Sequence, residues 1–203
     1  MIRFFQDHIC RIEDYLAAGG IVMIPLMIVS ALMWFLIINR VIFFRQLYRK
    51  NMSREKALEY IREDEFPDPK EHKGAISLLA TGFLQRSSGR REVDRFILDE
   101  TVISLVSSLN RYLALIGILA ALAPLLGLLG TVTGMIATFD IISTFGTGNA
   151  KAMAGGISEA LITTQTGLLV AIPGLYMSNF LTRRADILKQ RVSSVGMYLR
   201  RHI

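Results

Sequence analysis

Cysteine and histidine are scarce in this chain of 203 residues, which contains one cysteine, Cys10, and three histidines, His8, His72 and His202. A single cysteine cannot form a disulfide within the chain or a multi-cysteine metal site. The histidines are scattered along the sequence, so they do not show the spacing of a metal cluster. The sequence therefore excludes a disulfide-stabilised domain and offers no metal site.

Charge is missing from long parts of the sequence. Only 20% of the residues are charged and 52% are hydrophobic, whereas about 25% of the residues of an ordinary soluble domain are charged. Asp, Glu, Lys and Arg are absent over the 28 residues of 112–139 and over the 23 residues of 160–182. About 20 apolar residues suffice for a helix to cross the hydrocarbon core of a bilayer. These runs exclude a soluble enzyme and a disordered chain, and they predict a small integral membrane protein.

Motifs of catalysis are also missing. The sequence has no phosphate-binding loop, no Ser/His/Asp set, and no paired acids or histidines inside its apolar runs, so an enzyme is not expected. The net charge of +6 does not indicate a nucleic-acid partner, because the basic residues concentrate at the ends of the apolar runs, where membrane proteins carry them.

Three apolar helices separated by polar segments are predicted, which makes the fold class an all-α integral membrane protein with long cytoplasmic helical extensions. The predicted order begins with an amphipathic helix (1–19), the first span (20–44) and a polar helical segment (45–111). The second span (112–143), a connector (144–156), the third span (157–182) and a basic tail (183–203) follow. A continuous helix is predicted from about Arg91 to Ser143, since no Gly-Pro break precedes the second span.

Basic residues flank the spans asymmetrically. Five follow the first span within 45–56 and six follow the third span within 183–201, whereas the connector contains only Lys151. Because loops rich in Lys and Arg stay in the cytoplasm, the polar segment and the C-terminus are predicted to be cytoplasmic, and the N-terminus and the connector to face the opposite side. Arg40, near the end of the first span, is expected to extend its charge to the interface.

Small residues form a stripe on each of the last two spans. They recur every three or four residues, as Ala120, Ala123, Gly127, Gly130, Gly134 and Thr138, and as Gly156, Ala160, Thr164, Gly167, Ala171, Gly174 and Ser178. This spacing lets helix backbones approach closely. Packing within one chain accounts for part of it, but three helices offer few partners for two long stripes, so a homo-oligomeric ring is predicted. The residues assigned to helix packing are Gly127, Gly130, Gly134, Gly167, Ala171, Pro124 and Pro173.

Hydroxyl groups and one acid lie inside or beside the last two spans. The second span contains threonines at 131, 133 and 138, and the third contains Glu159 and the polar run 163–166. A helical threonine commonly returns its hydrogen bond to its own backbone, but the cluster in the third span favours a polar pathway. An intramembrane carboxyl group usually marks an ion pathway. The alternative is that Glu159 lies at the outer interface, since 160–182 is long enough to span.

Two motifs resemble those of a known family. They are Ala-Pro-Leu-Leu-Gly-Leu-Leu-Gly-Thr-Val-Thr-Gly-Met at 123–135 and Gly-Gly-Ile-Ser-Glu-Ala-Leu-Ile-Thr-Thr at 155–164, the latter followed by Gly-Leu-Leu-Val-Ala-Ile-Pro at 167–173. Together with the three-span layout, they resemble the MotA/TolQ/ExbB proton-channel family, and within it the ExbB proteins of TonB systems.

The resemblance implies an inner-membrane homopentamer of a Gram-negative bacterium, surrounded by membrane lipids and enclosing a dimer of a one-span ExbD-like partner. The partner's intramembrane aspartate accepts the proton, and a TonB-like protein delivers the motion for outer-membrane import. Protons are the coupling ion, with no cofactor and no nucleic acid. By position, Thr131 and Thr164 correspond to the threonines that line the cavity, and Glu159 corresponds to the glutamate of the third span. Thr163 is the alternative to Thr164, because the family commonly has one threonine there.

Two alternatives stay open at this point. Within the family, the chain resembles TolQ-type subunits that maintain the envelope, and neighbouring genes would distinguish them. In a different class, it is a passive membrane scaffold or a subunit of a solute permease. The hydroxyl clusters inside the spans favour a conduit over a scaffold.

Overall fold

A computed structural model of the chain describes residues 15–16, 18–48, 52–67 and 74–203, and their regular structure is helical, without strands. The α-helices of this part are α1 Met23–Tyr48, α2 Arg54–Arg62, α3 Ala75–Leu84, α4 Arg91–Asn110, α5 Leu113–Phe145 and α6 Ala150–His202. A 3-10 turn, Gly146–Gly148, separates α5 from α6. The predicted all-α fold is confirmed for these residues. Most of the amphipathic helix predicted over 1–19 lies outside them.

Three helical stretches of the described residues are long and apolar enough to cross a membrane. They are Met23–Tyr48, Arg91–Gly148 and Ala150–His202. The predicted number of spans is therefore confirmed by length and composition.

The continuous helix predicted from Arg91 to Ser143 is wrong. Helix α4 ends at Asn110 and α5 begins at Leu113, because the intervening backbone leaves the helical conformation. Arg111 is extended, with ψ 131°, and Tyr112 has a φ of 65°. This left-handed conformation is unfavourable for a bulky side chain, and neither Gly nor Pro marks the position. Local sequence signals therefore do not reveal the break.

The connection between α5 and α6 is shorter than the predicted connector. Helix α5 continues to Phe145, and α6 is unbroken from Ala150 to its end. Gly146 has a φ of 68°, the left-handed conformation that commonly ends a helix. The side-chain oxygen of Asn149 accepts the N–H of Ala152 at 3.2 Å, as an N-cap does. Helix α6 thus extends beyond the predicted third span at both ends, into the predicted connector and the basic tail.

The described part of the polar segment is largely helical, as predicted. The hydroxyl of Ser53 accepts the N–H of Lys56 at 3.3 Å and caps α2. Helix α3 begins after Gly74, and α4 begins at Arg91, where the sequence predicts a helix to start. The loop before α4 is closed by Asp94, whose carboxylate oxygen accepts the Ser88 N–H at 2.7 Å.

The described residues form two compact units. One comprises those up to Leu36 together with Leu115–Ser178, and the other comprises those within Ile37–Ala114 together with Asn179–Ile203. The first unit therefore contains the first half of α1, nearly all of α5 and the first half of α6. The second unit contains the remainder of α1 and α6, with α2, α3 and α4.

In the first unit, α5 and α6 run antiparallel. Residue numbers rise along α5 as they fall along α6, since Gly117 lies opposite Ser178 and Gly134 lies opposite Gly156. Helix α1 packs on this pair through Met33, which is fully buried beside a glycine of α6. The prolines of α5 and α6 lie inside their helices without ending them.

In the second unit, α3 and α4 pack together, and α4 also packs on the last part of α6. The absence of a side chain at Gly196 leaves space that Val102 of α4 occupies. The core of this unit is mainly apolar, and Phe83, Leu98 and Val192 are at most 2% exposed.

Candidate functional site

Helices α5 and α6 approach each other closely at a pair of glycines. A methyl group built on Gly167 would lie 2.7 Å from the carbonyl oxygen of Ala123 and 3.1 Å from the Cα of Gly127. A methyl group built on Gly127 would lie 3.1 Å from the carbonyl oxygen of Thr163. These neighbours are backbone atoms, which cannot move aside separately, so the helices meet here only because both positions lack a side chain.

The two stripes of small residues face each other within one chain. Gly134 lies against Ala160, and Ala120 lies against Gly174, while Ala171 is 2% exposed. The prediction of a ring rests on three helices offering too few partners for two stripes. This reason is wrong, because each stripe is the partner of the other within one chain. The homo-oligomeric ring stays a prediction, and it requires surfaces other than these stripes.

The threonine hydroxyls of α5 and α6 return their hydrogen bonds to their own helices. The acceptors are carbonyl oxygens three or four residues earlier: Leu128 for Thr131 at 2.6 Å, Gly130 for Thr133 at 3.0 Å, Gly134 for Thr138 at 2.9 Å, Glu159 for Thr163 at 2.9 Å, Ala160 for Thr164 at 2.9 Å and Ile162 for Thr166 at 2.8 Å. A hydroxyl has one proton and two lone pairs. In this state the threonines can accept a hydrogen bond, and they can donate to another group only after rotating the hydroxyl.

The adjacent residues Thr163 and Thr164 lie in different environments. Thr163 is 0% exposed, and its side chain fills the space beside Gly130. Thr164 is half-buried, and its hydroxyl oxygen lies 3.3 Å from the carbonyl oxygen of Gly127 on α5. Thr164 is therefore accessible from outside the α5–α6 pair, whereas Thr163 is enclosed within it.

Thr131 lies beside Thr164 at one edge of the α5–α6 pair. In an α-helix the N–H of Thr131 donates to the carbonyl of Gly127, and this is the carbonyl that the Thr164 hydroxyl approaches. Thr131 is also half-buried. The structure thus brings together the two hydroxyl residues singled out from the sequence, and we call Thr131 and Thr164 the threonine edge.

Glu159 lies farther along α6, against the segment that precedes α1. It is half-buried, and its carboxyl group occupies the space that a side chain at Gly20 would need. Gly20 has a φ of 66°, so a side chain is unfavourable there for a second reason. Glu159 precedes Thr164 by five positions, which is about 7.5 Å along a helix axis. Glu159 is therefore not part of the threonine edge.

A contact that sequence analysis missed joins Tyr15 to Thr166. Their hydroxyl oxygens are 3.1 Å apart. Since the Thr166 hydroxyl donates to the carbonyl of Ile162, Tyr15 is the donor in this pair. Tyr15 belongs to the predicted amphipathic helix, whose apolar periodicity carries no information about which span it contacts. No signal in the sequence would have identified this pair.

Arg40, which was expected to reach the interface, is buried instead. Its side chain is 4% exposed, and Nη2 donates to the carbonyls of Ser108, at 2.9 Å, and Leu109. The guanidinium lies 4.6 Å and 4.9 Å from the ring centroids of Phe43 and Phe44. The last carbonyls of a helix lack intrahelical donors and attract a cation. The end of α4 therefore provides acceptors inside the protein for Nη2 of Arg40, while the buried Nε has no hydrogen-bond partner among the described residues.

Chemically, the threonine edge offers two neutral hydroxyls and no fixed charge. Within the described ranges, no group of three or more His, Cys, Asp or Glu side chains is arranged to hold a metal ion. An edge of this kind can exchange hydrogen bonds with a group that approaches it, and it does not fix the charge of that group.

The sequence profile of the MotA/TolQ/ExbB proton channel family matches residues 70–194. This range is more than half of the chain and contains both stripes and the threonine edge. The chain belongs to the MotA/TolQ/ExbB proton channel family.

Relatives of this family match along most of the chain. The putative biopolymer transport protein ExbB-like 1 of Synechocystis sp. is 34% identical over 96% of this chain and 80% of its own length. The ExbB-like 3 protein of the same organism is 32% identical over 91% of this chain and 93% of its own length. The biopolymer transport protein ExbB of Neisseria gonorrhoeae is 28% identical over 86% and 87% of the two chains.

Membership of the MotA/TolQ/ExbB family agrees with the three apolar helices. The protein is a membrane protein of a proton-channel family rather than a member of a known enzyme class, and the ExbB family implies assembly with other proteins in a membrane complex.

Proposed function

We propose that this protein is the ring-forming subunit of an ExbB-type motor in the inner membrane of a Gram-negative bacterium. Five copies enclose a dimer of a one-span ExbD-like protein, whose intramembrane aspartate carries the proton. A TonB-like protein delivers the resulting motion to outer-membrane import. Protons are the coupling ion, and no cofactor takes part. The N-terminus is periplasmic, and the residues between the first two spans and the C-terminus are cytoplasmic. Relatives named ExbB favour this function over the TolQ-type alternative.

The observation that carries the proposal is the threonine edge. The backbone N–H of Thr131 and the hydroxyl of Thr164 approach the same carbonyl, that of Gly127. Both side chains stay partly exposed in the single chain, so a neighbouring group can reach both. Their hydroxyls donate to their own helices. They therefore accept a hydrogen bond from a protonated carboxylic acid, and they donate to a carboxylate after a rotation of the hydroxyl. The edge accommodates both states of a partner's aspartate.

The lack of a fixed charge at the threonine edge lets the partner's aspartate change its protonation state. A charged side chain within about 4–6 Å shifts the pKa of a carboxyl group by about 1–3 units, and this would hold a partner's aspartate in one protonation state. Neutral hydroxyls leave it able to take up a proton on one side and release it on the other. In a symmetric ring every subunit presents the same edge, so the acid can pass from one subunit to the next at little difference in free energy.

The ring needs an interface other than the stripes, and the outer faces of the spans provide apolar surface for it. Large apolar side chains on α5 and α6 are exposed in the single chain, among them Leu125, Leu129, Ile136, Leu161, Leu168 and Ile172. In the proposed assembly, these faces contact either a neighbouring subunit or lipid.

Replacing both Thr131 and Thr164 by valine should strongly reduce partner-dependent proton flow while the protein still folds. Valine keeps the shape of threonine but removes the hydroxyl. We expect the proton flux to fall roughly tenfold or more, because a lost hydrogen bond to a charged group changes a free energy by about 1.5–3 kcal/mol. The measurement is the pH change inside proteoliposomes that contain this chain and its one-span partner, under an imposed membrane potential.

Thr133→Val is the matched control for the double valine variant. Thr133 lies on the same helix and is also half-buried, and its hydroxyl bonds to a carbonyl three residues earlier, as that of Thr131 does. It lies two positions away, on a different face of α5. Flux should be retained in this control and should be low for the chain without its partner. An undiminished flux in the double variant, or an equal flux with and without the partner, would contradict the proposal and favour a passive scaffold or another permease.

A further inference from the structure

The second unit contains a half-open groove that the proton pathway does not use. It lies between the last turns of α1 and the middle of α6 and has a volume of about 370 Å³. Its lining includes Val41, Phe44, Arg45, Tyr48, Leu181 and Arg184. We call it the arginine groove.

The arginine groove has an apolar end and a cationic end. Val41 and Phe44 belong to the predicted first span and Leu181 to the predicted third span, whereas Arg45 and Arg184 follow directly after these spans. The change from apolar to basic therefore occurs at the same level on both helices. In a membrane protein this level is the boundary between hydrocarbon and headgroups.

Aromatic rings hold the guanidinium of Arg184 in place. It lies 5.2 Å from the ring centroids of both Tyr48 and Phe180. The Tyr48 hydroxyl donates to the carbonyl of Arg184 at 3.3 Å, which joins the two helices at this point. Tyrosine is also a residue type that concentrates at membrane interfaces. The Arg184 side chain at the cationic end is thus held by contacts with both helices of the groove.

The cations of the arginine groove lack an acidic partner. Within the part of the chain that the structure describes, the ion pairs involve other residues and leave both Arg45 and Arg184 unpaired. Their side chains are exposed. Guanidinium groups bind phosphate oxygens with two parallel hydrogen bonds, so a phosphate at headgroup level matches the chemistry of the cationic end.

We propose that the arginine groove binds an anionic phospholipid, with the phosphate between Arg45 and Arg184 and an acyl chain along Val41, Phe44 and Leu181. A second copy of this chain fits less well, because its own basic residues follow the spans at the same level and would repel these arginines. The proposal concerns lipid binding and is independent of proton coupling.

Titration of the full chain in neutral detergent with phosphatidylglycerol tests the proposal, with phosphatidylcholine of the same acyl chains for comparison. Bound lipid is counted by native mass spectrometry, and the thermal midpoint is followed by circular dichroism. We expect phosphatidylglycerol to bind more tightly and to raise the midpoint. The variant Arg45→Gln/Arg184→Gln should bind it roughly thirtyfold more weakly, since each basic residue near an anionic lipid contributes about fivefold.

Arg183→Gln/Arg191→Gln is the matched control. It removes the same number of positive charges, both from α6, at residues that do not line the groove, and it should bind phosphatidylglycerol like the unaltered chain. Arg45→Lys/Arg184→Lys keeps the charge and should retain most of the affinity. Equal weakening in the control pair would show general electrostatic attraction and would overturn the proposal. Equal binding of phosphatidylcholine, or displacement of phosphatidylglycerol by inorganic phosphate at the same concentration, would also overturn it.

Discussion

Replacing Gly167 by leucine should destabilise the first unit by about 3 kcal/mol or more, because overpacking a close contact already costs about 1–3 kcal/mol when the neighbours are movable. Here the neighbours are backbone atoms. The first carbon of the new side chain would lie 2.7 Å from the carbonyl oxygen of Ala123 and 3.1 Å from the Cα of Gly127. The two helices must then separate, and the contacts along both stripes are lost together. Unfolding followed by circular dichroism in detergent, over a denaturant series, measures the change.

Gly155→Leu is the control for this substitution. Gly155 lies on the same helix and is exposed, and a methyl group built on it meets nothing within 4 Å. Glycine is about 0.8–1 kcal/mol less favourable in a helix than alanine, and leucine ranks just below alanine. The control should therefore be as stable as the unaltered chain or slightly more stable. If Gly167→Leu and Gly155→Leu unfolded at the same denaturant concentration, the close packing of α5 on α6 would be refuted.

Replacing Arg40 by methionine should destabilise the second unit by about 2 kcal/mol, the contribution of a hydrogen bond to a charged group. Methionine fills a similar apolar volume but leaves the carbonyls of Ser108 and Leu109 without the donor that Arg40 supplies. We expect a decrease of roughly 4–8 °C in the thermal midpoint, since 1 kcal/mol corresponds to about 2–4 °C in a chain of this length. The decrease is measured by circular dichroism in detergent.

Arg40→Lys separates two contributions to the free energy of unfolding, that of the Arg40 hydrogen bonds and that of burying its charge. Lysine keeps the cation and can donate to one carbonyl at a time, so its midpoint should lie between those of Arg40→Met and the unaltered chain. Burying a cation is itself unfavourable, and apolar replacements of buried charges sometimes stabilise a protein. If the methionine variant were as stable as the unaltered chain, the cost of burying the Arg40 cation would equal the free energy gained from its hydrogen bonds. Arg40 would then not stabilise the end of α4, and this interpretation would be refuted.

The threonine edge shows which part of the site was predictable. The sequence identifies Thr131 and the pair Thr163 and Thr164, because hydroxyls are conspicuous among apolar residues. It does not choose within the pair, since adjacent residues of a helix differ by about 100° in direction and either one can face a neighbour. The choice depends on where α5 lies, and the structure encloses Thr163 while leaving Thr164 half-buried.

The partner of each stripe of small residues was likewise not predictable from the sequence. Their spacing predicts close helix packing, but spacing does not say whether the partner helix belongs to the same chain or to another copy. The antiparallel pairing of Gly127 with Gly167 depends on the short turn between α5 and α6, where Gly146 and Asn149 end one helix and start the next.

Local patterns in the sequence determined the helical fold, the three apolar helices, the cap at Ser53 and the family motifs, because each depends on residues within a few turns of one helix. The tertiary structure decided the break at Arg111–Tyr112, the burial of Arg40 and the pairing of the stripes. The burial of Arg40 and the pairing of the stripes join residues that are distant in the chain, and the break closely follows the carbonyls that Arg40 binds. Arg40 donates to carbonyls 68 and 69 positions away, and such contacts depend on how the helices pack, which no local pattern specifies.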